Sequence, residues 1–524
     1  MKTGPSAIPR TLASLPERDD RPAVIEPGRG VLTYRDLDQL ANAVAARLRR
    51  LGVKPGARVG LYLRRSSDTI AAMLGILRAD CVYVPVDTRA PVPRTVATHL
   101  DCGVQTTFIE ERFESLYRQE IARCGATGIS IQRLSLAGPG EAISNWATAG
   151  NGSEDIDAGN AIATHAELAC ILYTSGTTGH PKGWMMSRTA IEAHASWCHR
   201  LLAPTRADVF ANHAQFSFGM SLFDIYSSLG CGAPIVLVPD EVRQHASRLV
   251  ELIARERVSI WFSAPAALSL IGQSDELERQ DLSALRIIAF AGEVFPGNRL
   301  EPLRARVKHP AYFNFYGSTE TNVAAYYELP RDTEFQAPPP IGYPCGHYEA
   351  RIRGENGATV PLGAVGELQL RGAGLNTGYW NQPELTAEKT APADDGGAPW
   401  FRTGDLVTQL PTGALSYTGR IGRMLKLRGY RVEPGEIEAR LYEHPSIREA
   451  AVVPKRRGDD LELVAHLSTS TQQPIPTIQL KEFCAVRLPP YMIPARFGFH
   501  PTLPRTSRGK IDLQKLAEDD VTPS

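Results

Sequence analysis

The early part of the chain alternates short apolar runs with segments whose apolar residues recur at helical spacing. Residues 59–63 predict a strand, residues 69–77 a helix and residues 82–86 a second strand. The same alternation continues with strands expected at residues 235–238 and 259–262. Strands separated by helices are typical of an α/β fold with largely parallel sheets. We expect this fold class for the large N-terminal region.

From residue 360 onward the pattern changes. Residues 366–371, 406–410 and 414–418 alternate apolar and polar positions, which predicts antiparallel strands and a β-rich subdomain. After residue 419 a new pattern begins, with strands predicted at 424–427, 450–453 and 461–467 and helices at 435–442 and 477–488. We therefore expect a large N-terminal region over residues 1–418 and a small, mobile α+β domain over residues 419–524.

Composition and charge exclude several classes of protein. The chain has 57 basic and 57 acidic side chains, a formal net charge of zero, which argues against nucleic-acid binding through a basic excess. It lacks a run of about 18 apolar residues and an N-terminal secretory pattern, so we expect no membrane partner. The eight cysteines are scattered without a CxxC pair, which favours a reducing, cytoplasmic location over a disulfide scaffold or zinc site.

The sharpest local feature is the sequence LYTSGTTGHPKG at residues 172–183. It follows a predicted buried strand and combines glycines, two Ser/Thr pairs and Lys182. Glycines let the backbone wrap closely around an anion, while amides and hydroxyls donate to phosphate oxygens. The segment is not the usual P-loop, because Gly183 rather than Ser or Thr follows the lysine. It nevertheless predicts a phosphate-binding loop.

SGTTGHPKG resembles the phosphate loop of the adenylate-forming superfamily, which comprises acyl-CoA synthetases, luciferase-like enzymes and nonribosomal peptide adenylation domains. Further matches follow in the expected order and cover residues 32 to 511. They are LTYRDL (32–37), LRADCVYVPVD (77–87), NFYGSTET (314–321), GELQLR (366–371), FRTGD (401–405), residues 419–438, LPPYMIP (488–494) and PRTSRGK (504–510).

The resemblance implies attack of a carboxylate on the α-phosphate of ATP, giving an acyl-adenylate and pyrophosphate. It implies catalytic roles for Thr178, Glu320 and Lys510, with Glu320 also binding Mg2+ and Lys510 bridging the carboxylate and α-phosphate. The remaining ATP-binding residues would be Thr174, Ser175, Gly176, Thr177, Lys182, Gly292, Asn314, Tyr316, Gly317, Thr319, Asp405 and Arg420.

Three of these residues have more specific roles by resemblance, since Tyr316 would stack on adenine, Asp405 would accept from the ribose hydroxyls and Thr319 would donate to the α-phosphate. The superfamily's small domain rotates between adenylation and thioester formation about a hinge that usually carries Asp or Lys. Gly422 stands at that place here, and glycine is permissive at a hinge. Arg428 and Gly429 would face the incoming pantetheine arm.

The acid pocket differs from that of ordinary amino-acid-activating members. These carry an aspartate for the α-amino group in an F-D-x-S context, where this chain has Gly219. Asp224, five residues on, falls on the same predicted helix face and would hold an ammonium one carbon farther from the carboxylate. The alternative is a purely structural role for Asp224. The other residues that align with the pocket are apolar and indicate a hydrophobic acid: Met220, Phe223, Phe262, Ala289, Ala291, Phe315, Val323 and Ala324.

The pattern resembles stand-alone β-amino-acid-activating enzymes of macrolactam polyketide pathways. It implies transfer of the activated acid to the phosphopantetheine of a separate acyl or peptidyl carrier protein, because no carrier segment follows Lys510. Coenzyme A is the alternative acceptor. The competing functions are an aryl or fatty acyl-CoA or acyl-carrier ligase, an α-amino-acid-specific enzyme, and a non-catalytic ATP-binding relative.

Overall fold

A computed structural model describes residues 14–15, 19–136, 138–148, 167–176, 181–375, 378–458, 460–470, 473–506 and 511–519. In this part of the chain the strands are β1 (Pro22–Glu26), β2 (Gly30–Thr33), β3 (Arg58–Tyr62), β4 (Val82–Pro85), β5 (Thr106–Glu110), β6 (Ser130–Leu134), β7 (Leu168–Thr174), β8 (Lys182–Ser187), β9 (Phe210–Asn212), β10 (Ile235–Leu237), β11 (Ile260–Ser263), β12 (Ile287–Phe290), β13 (Ala311–Ser318), β14 (Asn322–Glu328), β15 (Tyr343–Pro344), β16 (Glu349–Arg353), β17 (Gly366–Arg371), β18 (Gly378–Tyr379), β19 (Thr390–Ala391), β20 (Trp400–Gln409), β21 (Leu415–Arg420), β22 (Leu425–Leu427), β23 (Tyr430–Val432), β24 (Ile447–Arg457), β25 (Asp460–Thr469) and β26 (Arg496–Phe499).

The helices lie between these strands, most of them in the first 310 residues. They are α1 (Tyr34–Arg50), α2 (Ser67–Arg78), α3 (Val92–Asp101), α4 (Glu111–Arg123), α5 (Glu141–Thr148), α6 (Arg188–Leu202), α7 (Met220–Cys231), α8 (Ala246–Arg255), α9 (Pro265–Gly272), α10 (Gly297–Arg306), α11 (Pro383–Glu388), α12 (Pro434–Tyr442), α13 (Thr477–Ala485) and α14 (Leu513–Glu518).

Two large sheets form the N-terminal region. The nine-stranded sheet has the order β15-β14-β13-β12-β11-β9-β10-β1-β2, and the seven-stranded sheet has the order β18-β8-β7-β4-β3-β5-β6. Most neighbours in their centres are parallel, whereas β13–β14 and β7–β8 are antiparallel pairs. The predicted α/β class with parallel sheets is confirmed.

Smaller sheets complete the fold. Strands β16, β17, β20 and β19 with β21 form a five-stranded antiparallel sheet, β22 and β23 form a hairpin, and β24, β25 and β26 form a three-stranded sheet. Helices α12 and α13 pack around residues of this last sheet in a core of their own, which includes Ile437, Leu441, Val452 and Leu480. The β-rich subdomain and the α+β C-terminal region are thus present.

Local sequence determines where helices of the N-terminal region begin and how they pack. Thr33 caps helix α1: its hydroxyl accepts from the Asp36 amide, and the Asp36 carboxylate accepts from the Thr33 amide, which is a reciprocal capping box. Helix α2 is buried along its whole length and packs on α1, where Gly75 meets Val44 too closely for any larger residue.

In the described part of the chain, no helix is long and apolar enough to cross a membrane.

Candidate active site

A well-formed cavity lies where the carboxyl ends of β12 and β13 face β20, β21 and β22. Its volume is about 550 Å³, and such sheet ends are a common place for ligand sites in α/β folds. Six predicted nucleotide residues line it together, namely Gly292, Asn314, Tyr316, Gly317, Asp405 and Arg420.

A short polar network lies at the centre of this cavity. The Tyr316 hydroxyl donates to Asp405 Oδ2 (2.6 Å), and Arg420 Nη1 donates to Asp405 Oδ1 (2.6 Å). Asp405 and Arg420 are paired across β20 and β21. Burial and the neighbouring carboxylate raise the pKa of Tyr316 well above its usual value, so the phenol stays a hydrogen-bond donor. The network holds Asp405 as an oriented acceptor at the cavity wall.

Two glycines bring the backbone close to this cavity. Gly292 has a left-handed φ of +95°, a region that side chains rarely adopt. At Gly317 a Cβ atom would lie 1.6 Å from the carbonyl oxygen of Asn322, so only glycine fits between β13 and β14. Both glycines therefore place backbone at the cavity wall without a side chain.

Glu320 lies at the centre of a buried cluster of charges. Arg431 Nη1 donates to both of its carboxylate oxygens (2.7 and 2.9 Å), and the Tyr379 hydroxyl donates to Oε1 (2.7 Å). Burial alone would raise the pKa of Glu320, but the charges of Arg431 and Lys182 outweigh burial and hold that pKa well below its usual range. Glu320 is therefore a fully ionised carboxylate.

The start of the predicted phosphate loop reaches the same cluster. Thr174 ends β7, the Ser175 hydroxyl donates to the Arg431 carbonyl (2.8 Å), and the Gly176 amide donates to Glu436 Oε2 (3.2 Å). Lys182 begins β8 beneath the Tyr379 ring, with its Nζ 5.0 Å from the ring centroid. Burial, with a smaller effect of Arg431, lowers the pKa of Lys182 to about 8. Thr177, Thr178 and Lys510 lie outside the described residues.

A second, smaller cavity of about 100 Å³ adjoins the first. It is bordered by the end of β7, the start of α7 and the β13–β14 turn, and Thr174, Ser175 and Thr319 line it. Five of the predicted acid-pocket residues also line it, namely Gly219, Met220, Phe262, Ala291 and Val323.

Three phenylalanines close the space behind this cavity. The ring centroids of Phe223 and Phe262 are 4.9 Å apart, those of Phe262 and Phe315 5.6 Å, and those of Phe223 and Phe315 6.2 Å. Ala289 and Ala324, both completely buried, do not line the small cavity. Because the rings pack together, the cavity reaches only as far as the first of them, Phe262.

Asp224 does not line the acid cavity. It is 1% exposed and accepts from Asn212 Nδ2 (3.0 Å) at the end of β9. Burial raises its pKa well above the usual value, which favours the neutral acid. One residue along α7 turns the side chain by about 100°, so Phe223 faces the other rings and Asp224 faces β9. The shared helix face expected for Met220 and Asp224 does not bring this carboxyl to the cavity.

A family model described as AMP-binding enzyme matches residues 13–380, and one described as AMP-binding enzyme C-terminal domain matches residues 436–510. The chain belongs to the AMP-binding enzyme family. It is an ATP-dependent, AMP-forming ligase whose cofactors are ATP and Mg2+.

Relatives and solved structures agree with this assignment. The chain is 35% identical over 506 residues to an L-proline–[L-prolyl-carrier protein] ligase of Streptomyces coelicolor, covering 95% of this chain and 94% of that protein. A ligase of the same name from Pseudomonas fluorescens is 34% identical over 97% of this chain and 98% of its own length. The solved amide bond synthetase McbA from Marinactinospora thermotolerans is 26% identical, with a TM-score of 0.81 and coverage of 95% and 97%.

The residues of this AMP-binding enzyme fit Mg2+ at Glu320. The cation prefers oxygen ligands and needs few from the protein, and Glu320 offers an ionised carboxylate beside the nucleotide cavity. Bound there, Mg2+ would neutralise phosphate charge. Arg431 Nη1 donates to both oxygens of Glu320 in this structure, so a metal bound there would compete with this ion pair.

Several residues of the site carried no predicted role. Arg431 and Lys426 lie within the 419–438 motif, and their positive charge beside a phosphate site was an available signal. Lys426 Nζ donates to the Gly317 carbonyl (3.2 Å). Tyr379 and Asn322 could not be recognised from a sequence motif, since their contacts arise only from the fold.

Gly422, the predicted hinge, is exposed and has a left-handed φ of +96° that suits glycine.

Proposed function

We propose that this ligase activates an amino acid with a small, apolar side chain as its acyl-adenylate and transfers it to the phosphopantetheine thiol of a separate carrier protein. The observation that carries the proposal is the small cavity beside Thr319, closed by the packed rings of Phe223, Phe262 and Phe315. The two carrier-protein ligases that match this chain almost end to end support the amino acid and the acceptor.

In the first step a carboxylate oxygen of the acid bonds to the α-phosphorus of ATP, and the bond to pyrophosphate breaks. Lys182 would neutralise charge on the departing phosphates. Asp405, held by Tyr316 and Arg420, would accept from the ribose. Lys510 is the cation expected at the reacting carboxylate. In the second step the thiol sulfur bonds to the acyl carbon and AMP leaves.

A β-amino acid is the second candidate within this function. It rests on the replacement of aspartate by Gly219 and on the nearby carboxyl of Asp224. Contact between that carboxyl and an ammonium would require Asp224 to leave Asn212 and turn past Phe223. The geometry therefore gives a β-amino acid no contact with Asp224, while the two matching ligases are named for the α-amino acid proline. β-Amino acids form one arm of the test.

A long fatty acid fits this cavity poorly, because it would have to displace rings that pack against one another. Phe223 and Phe315 are at most 1% exposed, and a close-packed core has no room for rings that an acyl chain would displace. Small aryl acids and coenzyme A as acceptor stay alternatives that experiment separates.

The test is ATP–pyrophosphate exchange with the purified chain and a panel of α-amino, β-amino, aryl and fatty acids. We expect the highest kcat/KM with a small apolar α-amino acid and little exchange with fatty acids. A preference for β-amino acids would select the second candidate. Exchange that is equally fast with acids lacking the amino group would contradict the proposal.

A further inference from the structure

Four buried polar groups at the acid cavity have no hydrogen-bond partner among the described residues. Two of them, the Thr174 hydroxyl and Arg431 Nε, belong to the start of the phosphate loop and to the Glu320 cluster. The other two are the Asn322 side-chain nitrogen and the Ser217 hydroxyl, and Asn322 is only 9% exposed. Buried amides in folded proteins are nearly always hydrogen-bonded. An unpartnered amide at the wall of a binding cavity therefore indicates that a ligand supplies its partner.

The backbone at Asn322 is held in an uncommon conformation. Its φ is +53°, in the left-handed region where Asn is tolerated better than most residues other than glycine. Asn322 starts β14 opposite Ser318, and its carbonyl is fixed by the close approach of Gly317. Conformations of this kind persist where the surrounding structure enforces them, and they cluster at ligand sites.

Charge at the cavity limits how an amino group can be recognised. Among its described lining residues, the basic side chains are those of Lys426 and Arg431, and none is Asp or Glu. Asp224 lies outside, bonded to Asn212. An ammonium in this cavity would therefore be held by neutral oxygen acceptors instead of a carboxylate.

We propose that Asn322 is a specificity-determining residue that hydrogen-bonds the amino group of the acid, with Ser217 as a second contact. The inference rests on the proposed function, which supplies the amino group. An amide offers an oxygen acceptor and N–H donors whose places exchange when the group turns over. Facing an ammonium, Asn322 presents its oxygen, and facing a hydroxyl or carbonyl substituent it presents its nitrogen.

The variant Asn322→Gly tests this role, because glycine keeps the left-handed backbone and removes only the amide. We expect a loss of about 10- to 100-fold in kcat/KM for the preferred amino acid, mainly through KM, since one hydrogen bond to a charged group is lost. The kcat/KM for the matching acid without its amino group should stay unchanged. Equal losses for both acids, or no loss for the amino acid, would overturn the proposal.

Asn381→Gly is the matched control. Asn381 is also left-handed, with φ +52°, but it is exposed, and its side chain donates to the Asp101 carbonyl away from the cavity. It should leave the discrimination between the two acids unchanged. A similar loss of discrimination in this control would show that a general backbone effect is responsible and would overturn the assignment to Asn322.

The variant Asn322→Asp tests the same contact by adding a negative charge. It keeps the size of the side chain and adds a carboxylate, so discrimination in favour of the amino acid should rise above that of the wild type. A fall would overturn the proposal. If the wild-type enzyme activates no amino acid, the proposed function fails. The role of Asn322 is then decided by measuring kcat/KM of the wild type and of Asn322→Gly with hydroxy acids and with unsubstituted acids. We expect the variant to lose kcat/KM by the same factor for hydroxy acids and to lose none for unsubstituted acids.

Discussion

The ion pair between Arg431 and Glu320 makes a quantitative prediction about metal binding. Arg431 belongs to β23, and both carboxylate oxygens of Glu320 accept from its guanidinium at 2.7 and 2.9 Å. Both side chains are largely buried, at 13% and 2% exposure. Mg2+ at this carboxylate would share its oxygens with a guanidinium cation, so the ion pair and the metal would compete for Glu320.

The strength of this competition follows from the burial of the pair. Removing one partner of a buried ion pair costs about 3–5 kcal/mol. The lower end applies here, because Glu320 keeps the Tyr379 hydrogen bond and the charge of Lys182. About 3 kcal/mol corresponds to roughly 100-fold in an equilibrium constant, which is the upper limit for the gain in Mg2+·ATP affinity when Arg431 is removed.

Titration calorimetry of the variant Arg431→Met with Mg2+·ATP measures this gain. We expect a lower Kd than in the wild type, by at most about 100-fold, and a much smaller change with ATP in the presence of EDTA. Arg423→Met is the control, because Arg423 also pairs with a carboxylate, Glu438 (2.6 Å), but away from Glu320. Unchanged or weaker Mg2+·ATP binding in Arg431→Met would refute competition and indicate that Arg431 itself holds the nucleotide.

Three further predictions concern the phosphate loop and the acid pocket. Lys182 has a pKa of about 8, so ATP affinity should fall as pH rises through about 8, because the ammonium loses its proton. In Lys182→Arg this fall should disappear. If the variant's ATP affinity depended on pH as in the wild type, Lys182 would not be the group responsible. Phe223→Ala should lower the free energy of unfolding by about 3–5 kcal/mol and increase ATP–pyrophosphate exchange with longer acids. If exchange stayed restricted to small acids, the three rings would not be what closes the cavity. Asp224→Asn should leave the preference for amino acids over other acids unchanged, because the buried Asp224 favours its neutral form. Loss of that preference would instead support the contact between Asp224 and the ammonium that the sequence predicts.

Much of this architecture could be predicted from the sequence. Apolar periodicity located β3, α2 and β4, and alternation located β17, β22, β24 and β25, because these patterns follow directly from strand and helix geometry. The short strands β23 and β26 were not predicted. Motif order identified the family before any geometry was known. The nucleotide residues Tyr316, Asp405 and Arg420 do meet at one cavity.

The acid pocket was harder to predict because its properties depend on packing between distant elements. Helical spacing placed Asp224 near Met220, but the direction of the carboxyl was decided by Asn212 on β9. The apolar character of the aligned residues indicated a hydrophobic pocket, but it could not show that Phe223, Phe262 and Phe315 contact one another and close that pocket. Pairing of Glu320 with Arg431, 111 residues away, likewise depends on tertiary structure.

Loading of an activated amino acid onto a carrier protein is the step that most needs a direct measurement. Intact-protein mass spectrometry follows a phosphopantetheinylated carrier that is incubated with the enzyme, ATP, Mg2+ and the best amino acid of the exchange panel. We expect an ATP-dependent mass increase equal to the amino acid minus water, which hydroxylamine removes because it cleaves thioesters. An unmodified carrier alongside acylated coenzyme A, or loading only of acids without an amino group, would show that the ligase does not load amino acids onto a carrier.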